Sequence, residues 1–207
     1  MIQIKRDILL AISAYVILLM VSYSASIMAC FGEAESRHDP TSVWLYVRRL
    51  MLVAFAVGLP LISGKRGIAS FGWKISAKWL VISAILGVLI GFGNKGGFDP
   101  LTASAILVAC FHAFSTEIFF RAYLIKTLSN HTKNFWTPVI VSSILFGIFY
   151  LTSWTMWNQP GGLKIIFVCL FTTLGIIFGY CYKKSGSFLV PWLIHFLGVL
   201  KYMEFFN

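Results

Sequence analysis

Long apolar runs alternate with short polar loops along the whole chain. A helix that crosses a bilayer needs about 20 mostly apolar residues, and seven runs meet or approach that length. The predicted spans are residues 8–30, 43–64, 77–93, 101–125, 137–156, 163–182 and 187–206. The pattern therefore predicts an all-α fold, a polytopic membrane bundle of about seven transmembrane helices, built by a single integral-membrane domain over residues 1–207.

Three local patterns refine this prediction. Arg48 and Arg49 interrupt the second run, so its first turn is expected at the membrane interface. The third run contains Gly87 and the sixth contains Gly175, each followed by a second glycine four residues later. Glycines at this spacing are typical of closely packed membrane helices, so a packing role is predicted. The loop 65–78 alternates basic and aromatic residues, which predicts an amphipathic segment on the inner leaflet.

Composition supports the membrane class and points away from nucleic acid. Hydrophobic residues make up 58% of the chain and charged residues only 12%, whereas soluble domains are about half apolar and a quarter charged. The net charge is +10. Because no basic face interleaved with exposed aromatic residues is visible, a nucleic-acid partner is not expected. Anionic membrane lipid is the simpler partner.

The loop charges predict the orientation, because basic residues collect on the cytoplasmic side. If the N-terminus is cytoplasmic, ten basic residues lie inside: Lys5, Arg6, Lys65, Arg66, Lys74, Lys78, Lys126, Lys133, Lys183 and Lys184. The outer side then holds Arg37, Lys95, Lys164 and Lys201, together with the acidic Glu33, Glu35, Asp39 and Asp99. An integral protein of the plasma (inner) membrane with a cytoplasmic N-terminus is therefore predicted.

Four ionisable residues inside predicted spans are candidates for function, because each needs a partner or a function there: His112, Glu117, Arg121 and His195. Glu117 and Arg121 are four residues apart with the acid first, the favoured order for a helical ion pair. That pair is either a structural staple or the working part of the molecule. At about 1.5 Å per residue, Glu117 and His195 each lie roughly 13 Å from the inner end of their spans, so they can meet. His112 is interpreted as a supporting or packing residue.

Three motifs in the second half of the chain resemble those of the CPBP family. This family is named for CAAX proteases and bacteriocin-processing enzymes and is also called Abi. Residues Thr116–Arg121 (TEIFFR) resemble its EExxxR motif, Ser142–Tyr150 (SSILFGIFY) resembles SSxLFGxxH, and Gly186–Val199 (GSFLVPWLIHFLGV) resembles its HxxxN segment. The resemblance covers roughly residues 100–207, and it implies N-terminal spans over 1–99 followed by a CAAX-protease-like core.

The resemblance also implies an active site and shows where this chain departs from the family. In the family, the first glutamate of EExxxR and the FxxxH histidine activate a water, and the HxxxN histidine and asparagine stabilise the oxyanion. Thr116, Tyr150 and Val199 stand at three of those four positions. The implied catalytic set in this chain is Glu117, Arg121, His195, Tyr150 and Thr116.

The function implied is an intramembrane glutamic-type endopeptidase that hydrolyses peptide bonds of membrane-anchored or lipidated polypeptides, with activity reduced or lost. Glu117 could replace the missing base, with His195 polarising the carbonyl. One carboxylate and one or two histidines make a poor zinc site, so neither a metal nor another cofactor is expected. The alternatives are a catalytically silent immunity or scaffold protein of the same fold, or a small-solute transporter subunit, although no internal repeat favours the latter.

Overall fold

Seven helices make up most of the described chain. The computed structural model describes residues 2–31, 43–62, 68–94, 98–152 and 160–202. Within these ranges the helices are α1 (Ile2–Phe31), α2 (Val43–Ile62), α3 (Ala77–Phe92), α4 (Ala103–Ser129), α5 (Trp136–Tyr150), α6 (Gly161–Ser185) and α7 (Leu189–Gly198). The predicted all-α bundle is confirmed, and each predicted span overlaps one helix.

Helix α4 lies at the centre of the bundle and changes its winding part-way. An α-helical part, Ala103–Glu117, continues into a π-helix over Ile118–Ile125 and ends in a last α-turn at Lys126–Ser129. All eight residues of the π segment are buried, as expected for a helix that is covered on every side. Helices α2, α5 and α6 pack around this segment, and α7 packs against the α-helical part.

Glycines set how closely two helix pairs approach. A Cβ added at Gly87 of α3 would lie 2.6 Å from the Cβ of Leu197 in α7, and one added at Gly175 of α6 would lie 3.0 Å from the Cβ of Ser143 in α5. Contacts this short leave no room for a side chain. The packing role that the glycine spacing predicted is confirmed.

The helix surfaces fit a lipid environment. Within the described residues, three helices are long and apolar enough to cross a membrane: α4, α6 and, within α1, Arg6–Tyr23. Helices α3, α5 and α7 are apolar but shorter, with 16, 15 and 10 residues. Large apolar side chains stay exposed on the outside of the bundle, as at Leu9, Leu89 and Ile165. An apolar surface of this kind is expected of a protein that is embedded in a lipid bilayer.

Helix α7 is shorter than the predicted span 187–206. It ends at Gly198 because the chain beyond it pairs with the segment before α4: Phe98 N donates to Val199 O (2.7 Å) and Lys201 N donates to Phe98 O (3.0 Å). The pairing forms an isolated parallel β-bridge between Phe98 and Leu200. A ten-residue helix is about 15 Å long, half the thickness of the hydrocarbon core, so α7 does not cross the membrane alone.

The described part of the loop between α2 and α3 packs against the protein. In its described part, Ile68–Phe71 forms a 3₁₀ turn, and Phe71 is buried in the core. Phe188 N donates to the carbonyls of Phe71 and Gly72 (3.3 and 3.2 Å). Gly72 has φ +78° and sits so close to Gly186 that a side chain would collide with the Gly186 carbonyl. The position of this loop on the inner leaflet stays a prediction.

Seven of the eighteen loop charges behind the predicted orientation lie outside the described residues. These are Glu33, Glu35, Arg37, Asp39, Lys65, Arg66 and Lys95. The orientation stays a prediction.

Candidate active site

Glu117 and Arg121 form a sealed ion pair where α4 changes from α- to π-helix. Arg121 Nε lies 3.0 Å from Glu117 Oε2, and both side chains have no exposed surface. The guanidinium group also lies 4.4 Å from the ring centre of Phe146 and 5.6 Å from that of Phe178. Aromatic faces attract a guanidinium cation. π-Helical turns are rare and are found at functional sites more often than elsewhere.

His195 of α7 occupies the other oxygen of the same carboxylate. Its Nδ1 lies 2.7 Å from Glu117 Oε1, and the residue is 4% exposed. Because Glu117 forms an ion pair with Arg121 and the carboxylate of an ion pair only accepts hydrogen bonds, Nδ1 is the donor. In the neutral imidazole, Nε2 is then the acceptor. Both Glu117 oxygens are thus engaged.

Tyr150 at the end of α5 joins two histidines. Its hydroxyl lies 3.2 Å from His195 Nε2 and 3.1 Å from His112 Nε2. Since His195 Nε2 accepts, the Tyr150 O–H donates to it, and His112 donates its Nε2–H to the Tyr150 oxygen. The hydrogen bonds therefore run in one direction from His112 through Tyr150 and His195 to Glu117. We call these four residues together with Arg121 the polar chain.

The two ends of the polar chain differ in access. Glu117 and Arg121 are completely covered, whereas His112 and Tyr150 are half-buried. A substrate or water approaching the chain would therefore meet His112 and Tyr150 first. A separate cavity of about 420 Å³ lies at the opposite end of the π segment, lined in part by Asp7, Tyr123 and Lys126, and none of the five polar-chain residues lines it.

Thr116 is not part of the polar chain. Its hydroxyl donates to the His112 carbonyl of its own helix (2.7 Å), and the residue is 1% exposed. Such a bond satisfies the hydroxyl locally. Of the five predicted site residues, the structure thus brings together Glu117, Arg121, Tyr150 and His195, and it leaves Thr116 beside them. Their catalytic role stays a prediction.

The structure places His112 in the polar chain, whereas the sequence indicates only a supporting or packing role. Its ring centre lies 5.5 Å from that of His195, and its Nε2 reaches Tyr150. His112 lies one helical turn before Thr116, on the same face of α4. A catalytic role for His112 stays a prediction.

The donor atoms of the polar chain point at one another rather than at a common centre. His195 uses both ring nitrogens in hydrogen bonds, and Glu117 uses both oxygens. Across the part of the chain that the structure describes, no three His, Cys, Asp or Glu side chains are placed to share a metal ion. That the protein works without a metal or cofactor remains a prediction.

The family assignment follows from comparison with known proteins. A family model described as "Type II CAAX prenyl endopeptidase Rce1-like" matches residues 97–200, half of the chain. The chain belongs to this family. The Rce1-like match runs from α4 through α7 and contains all five polar-chain residues, which confirms the resemblance drawn from the three motifs. No curated protein and no solved structure gave a match.

Membership adds to the case for a membrane protein. The Rce1-like core and the apolar helices together indicate an integral membrane protein. The last residue of the matched range, Leu200, pairs with Phe98 near the beginning of that range.

Proposed function

We propose that this Rce1-like protein is an intramembrane peptidase that hydrolyses an amide bond of membrane-anchored or lipidated polypeptides, in the plasma (inner) membrane with its N-terminus in the cytoplasm. The observation that carries the proposal is the unbroken hydrogen-bond sequence from half-buried His112 to the sealed Glu117–Arg121 pair. A structural staple needs only Glu117 and Arg121. It gives no reason for two histidines and a tyrosine to be aligned on them.

His112 is the general base in this proposal. Because its Nε2–H is donated to Tyr150, its Nδ1 is unprotonated and can take a proton from the attacking water. The water oxygen then forms the new bond to the amide carbon, and the carbonyl π-electrons move to the carbonyl oxygen. Glu117 is a poorer choice of base, because both of its oxygens are engaged and the side chain is inaccessible.

The polar chain spreads the positive charge that this step creates. As His112 gains a proton at Nδ1, its Nε2 proton can pass to Tyr150 while the Tyr150 proton passes to His195 Nε2. The charge then rests on the imidazolium of His195, 2.7 Å from the Glu117 carboxylate. Reversing the transfers returns a proton to the leaving amine when the C–N bond breaks. Glu117 and Arg121 act as positioning residues, because they contact other residues of the polar chain and not the substrate.

The decisive test is cleavage in proteoliposomes. A fluorescence-quenched peptide with a farnesylated cysteine near its C-terminus serves as the probe. In a second measurement, the termini of membrane proteins are compared between membranes that contain this protein and membranes that lack it. We expect His112→Ala and His112→Gln each to lower kcat by about 100-fold or more, the usual contribution of a general base. His131→Ala is the matched control, since His131 contacts Asp7 (3.5 Å) away from the polar chain.

A peptide-binding protein without hydrolytic activity is the second candidate. The observation that favours it is the use of the Thr116 hydroxyl by its own helix, together with a valine where the motif supplies an asparagine. If neither the probe nor any membrane polypeptide is cleaved, the peptidase proposal fails and this candidate takes its place.

A further inference from the structure

The cavity at the far end of the π segment from the polar chain is built by both halves of the chain. Its volume is about 420 Å³, which is large enough for a small molecule or the headgroup of a lipid. Asp7 of α1, Pro60 of α2, Phe71 of the 3₁₀ turn and Lys126 of α4 each line it. Its wall therefore joins the leading helices to the central helix, and it carries charges of both signs.

The cavity lies where two of the helices that can cross a membrane end. The apolar span within α1 begins at Arg6, beside Asp7, and the span of α4 ends at Ser129. The polar residues 130–134 follow directly. At such an edge the hydrocarbon of a bilayer gives way to the lipid headgroups. Because the cavity is partly open, a lipid can place its headgroup there while its acyl chains run along the apolar helix surfaces.

Asp7 brings a carboxylate to this cavity from a buried position, since the residue is only 4% exposed. His131 Nε2 lies 3.5 Å from Asp7 Oδ2, beyond the roughly 2.7–2.9 Å of a charge-assisted hydrogen bond. A carboxylate withdrawn from water favours a cation beside it. A divalent metal ion needs several oxygen ligands, and no three His, Cys, Asp or Glu side chains of the described residues share a centre. An organic ammonium group needs only one carboxylate, so it is the cation that fits.

Lys126 supplies the opposite charge at the cavity wall. Its Nζ donates to the Ser70 carbonyl, and because an ammonium group has three donors, others remain for a ligand. Thr127 and Asn130 line the same cavity and add a hydroxyl and an amide. A phosphate group accepts hydrogen bonds from donors of all three kinds. The cavity thus combines an acceptor for an ammonium group with donors for a phosphate, and phosphoethanolamine carries both groups.

We propose that this cavity binds the headgroup of a phospholipid with a primary amine, with the ammonium group on Asp7 and the phosphate on Lys126. Phosphatidylethanolamine is the simplest such lipid. A choline headgroup has no N–H to donate to Asp7, and an anionic headgroup without an amine brings a further negative charge toward it. The site does not depend on the proposed peptidase activity, because none of the polar-chain residues lines the cavity. The bound lipid ties α1 and α2 to the end of α4.

Lipids that differ only in methylation of the amine test the proposal. Native mass spectrometry of the full chain in detergent measures Kd for phosphatidylethanolamine, its N-methyl and N,N-dimethyl derivatives and phosphatidylcholine, all with the same acyl chains. We expect one lipid per chain and a Kd that rises with each methyl group. Phosphatidylcholine should bind about 10- to 100-fold more weakly than phosphatidylethanolamine, the range for hydrogen bonds to a charged group. Asp7→Asn should remove this difference, and Asp99→Asn, just before the start of α4, is the matched control.

Each other outcome is decisive. Equal affinity of the wild type for all four lipids would overturn the ammonium site, and tighter binding of phosphatidylglycerol would assign the cavity to an anionic headgroup instead. If Asp7→Asn does not fold, the methylation series on the wild type still decides. Lys126→Gln should weaken phosphatidylethanolamine and phosphatidylcholine alike, because both lose a phosphate contact; unchanged affinities would remove Lys126 from the site. Soluble glycerophosphoethanolamine should compete only at much higher concentration, and binding as tight as that of the lipid would overturn the assignment to a membrane lipid.

Discussion

His195 Nδ1 lies 2.7 Å from Glu117 Oε1, although the two residues are 78 positions apart in the chain. This contact ties the short helix α7 to the central helix α4 and sets the tautomer of His195. The direction of every other hydrogen bond in the polar chain follows from it, because the carboxylate can only accept. The contact is therefore both structural and chemical, and variants can separate the two roles.

Replacing Arg121 by methionine should destabilise the protein strongly. The change leaves the Glu117 carboxylate buried without its cation, which typically costs about 3–5 kcal/mol. The double variant Glu117→Gln/Arg121→Met should lose less than the single variant, because no unpaired charge remains. Denaturant unfolding in detergent measures both, with Arg6→Met as the control at an exposed position. A single variant as stable as wild type would show that the pair contributes nothing to folding.

Replacing Tyr150 by phenylalanine should abolish cleavage while the fold is retained. The ring stacks on Phe171 at 4.2 Å, and that packing stays, but the hydroxyl that joins His112 to His195 is removed. We expect kcat to fall by about 100-fold or more, with a small change in unfolding temperature. Tyr180→Phe, at an exposed ring stacked on Trp136, is the matched control. Activity within a few-fold of wild type would rule out proton transfer through Tyr150.

Thr116→Val should have little effect on cleavage, in contrast to what the motif alone implies. The Thr116 hydroxyl bonds to the carbonyl of His112 and does not reach the polar chain. Loss of such a bond costs about 1 kcal/mol of stability, and kcat should stay within about threefold of wild type. A large fall in kcat with unchanged stability would show that Thr116 takes part in the chemistry.

Adding a methyl group at Gly87 should disturb the site from a distance. The new Cβ would lie 2.6 Å from Leu197, two residues beyond His195 in α7. Overpacking of this kind costs about 1–3 kcal/mol, and the shift of α7 should lengthen the Glu117–His195 contact and lower activity. Gly58→Ala is the matched control, because no atom lies within 4 Å of its added Cβ. Alanine is the better helix former, so this control should be neutral or stabilising. Equal behaviour of the two variants would show that α7 tolerates displacement.

The helices and one ion pair could be predicted from local sequence, because both depend on short-range spacing. Apolar runs located the helices, and an i, i+4 spacing identified Glu117 and Arg121. The depth of His195 was also predictable, since rise per residue converts sequence into height along a helix. The early end of α7 was not, because it depends on pairing with Phe98, about 100 residues away.

Two features near the site depend on how helices approach one another, which a single sequence does not specify. Arg49 looked like an interruption of a hydrophobic run, and only the packing of α2 against α4 shows that it points inward. The π-helical stretch Ile118–Ile125 has the composition of an ordinary α-helix. Its wider turn is apparent only from the backbone, where it begins directly after Glu117.

The backbone pairing of Phe98 with Leu200 joins the beginning and the end of the family-matched part of the molecule. Helices from the first half of the chain pack along the second half away from this bridge, α2 against the π segment of α4 and α3 against α7. Exchanging or shortening those leading helices would therefore change the geometry around Glu117 and His195, as the close approach of Gly87 to Leu197 shows.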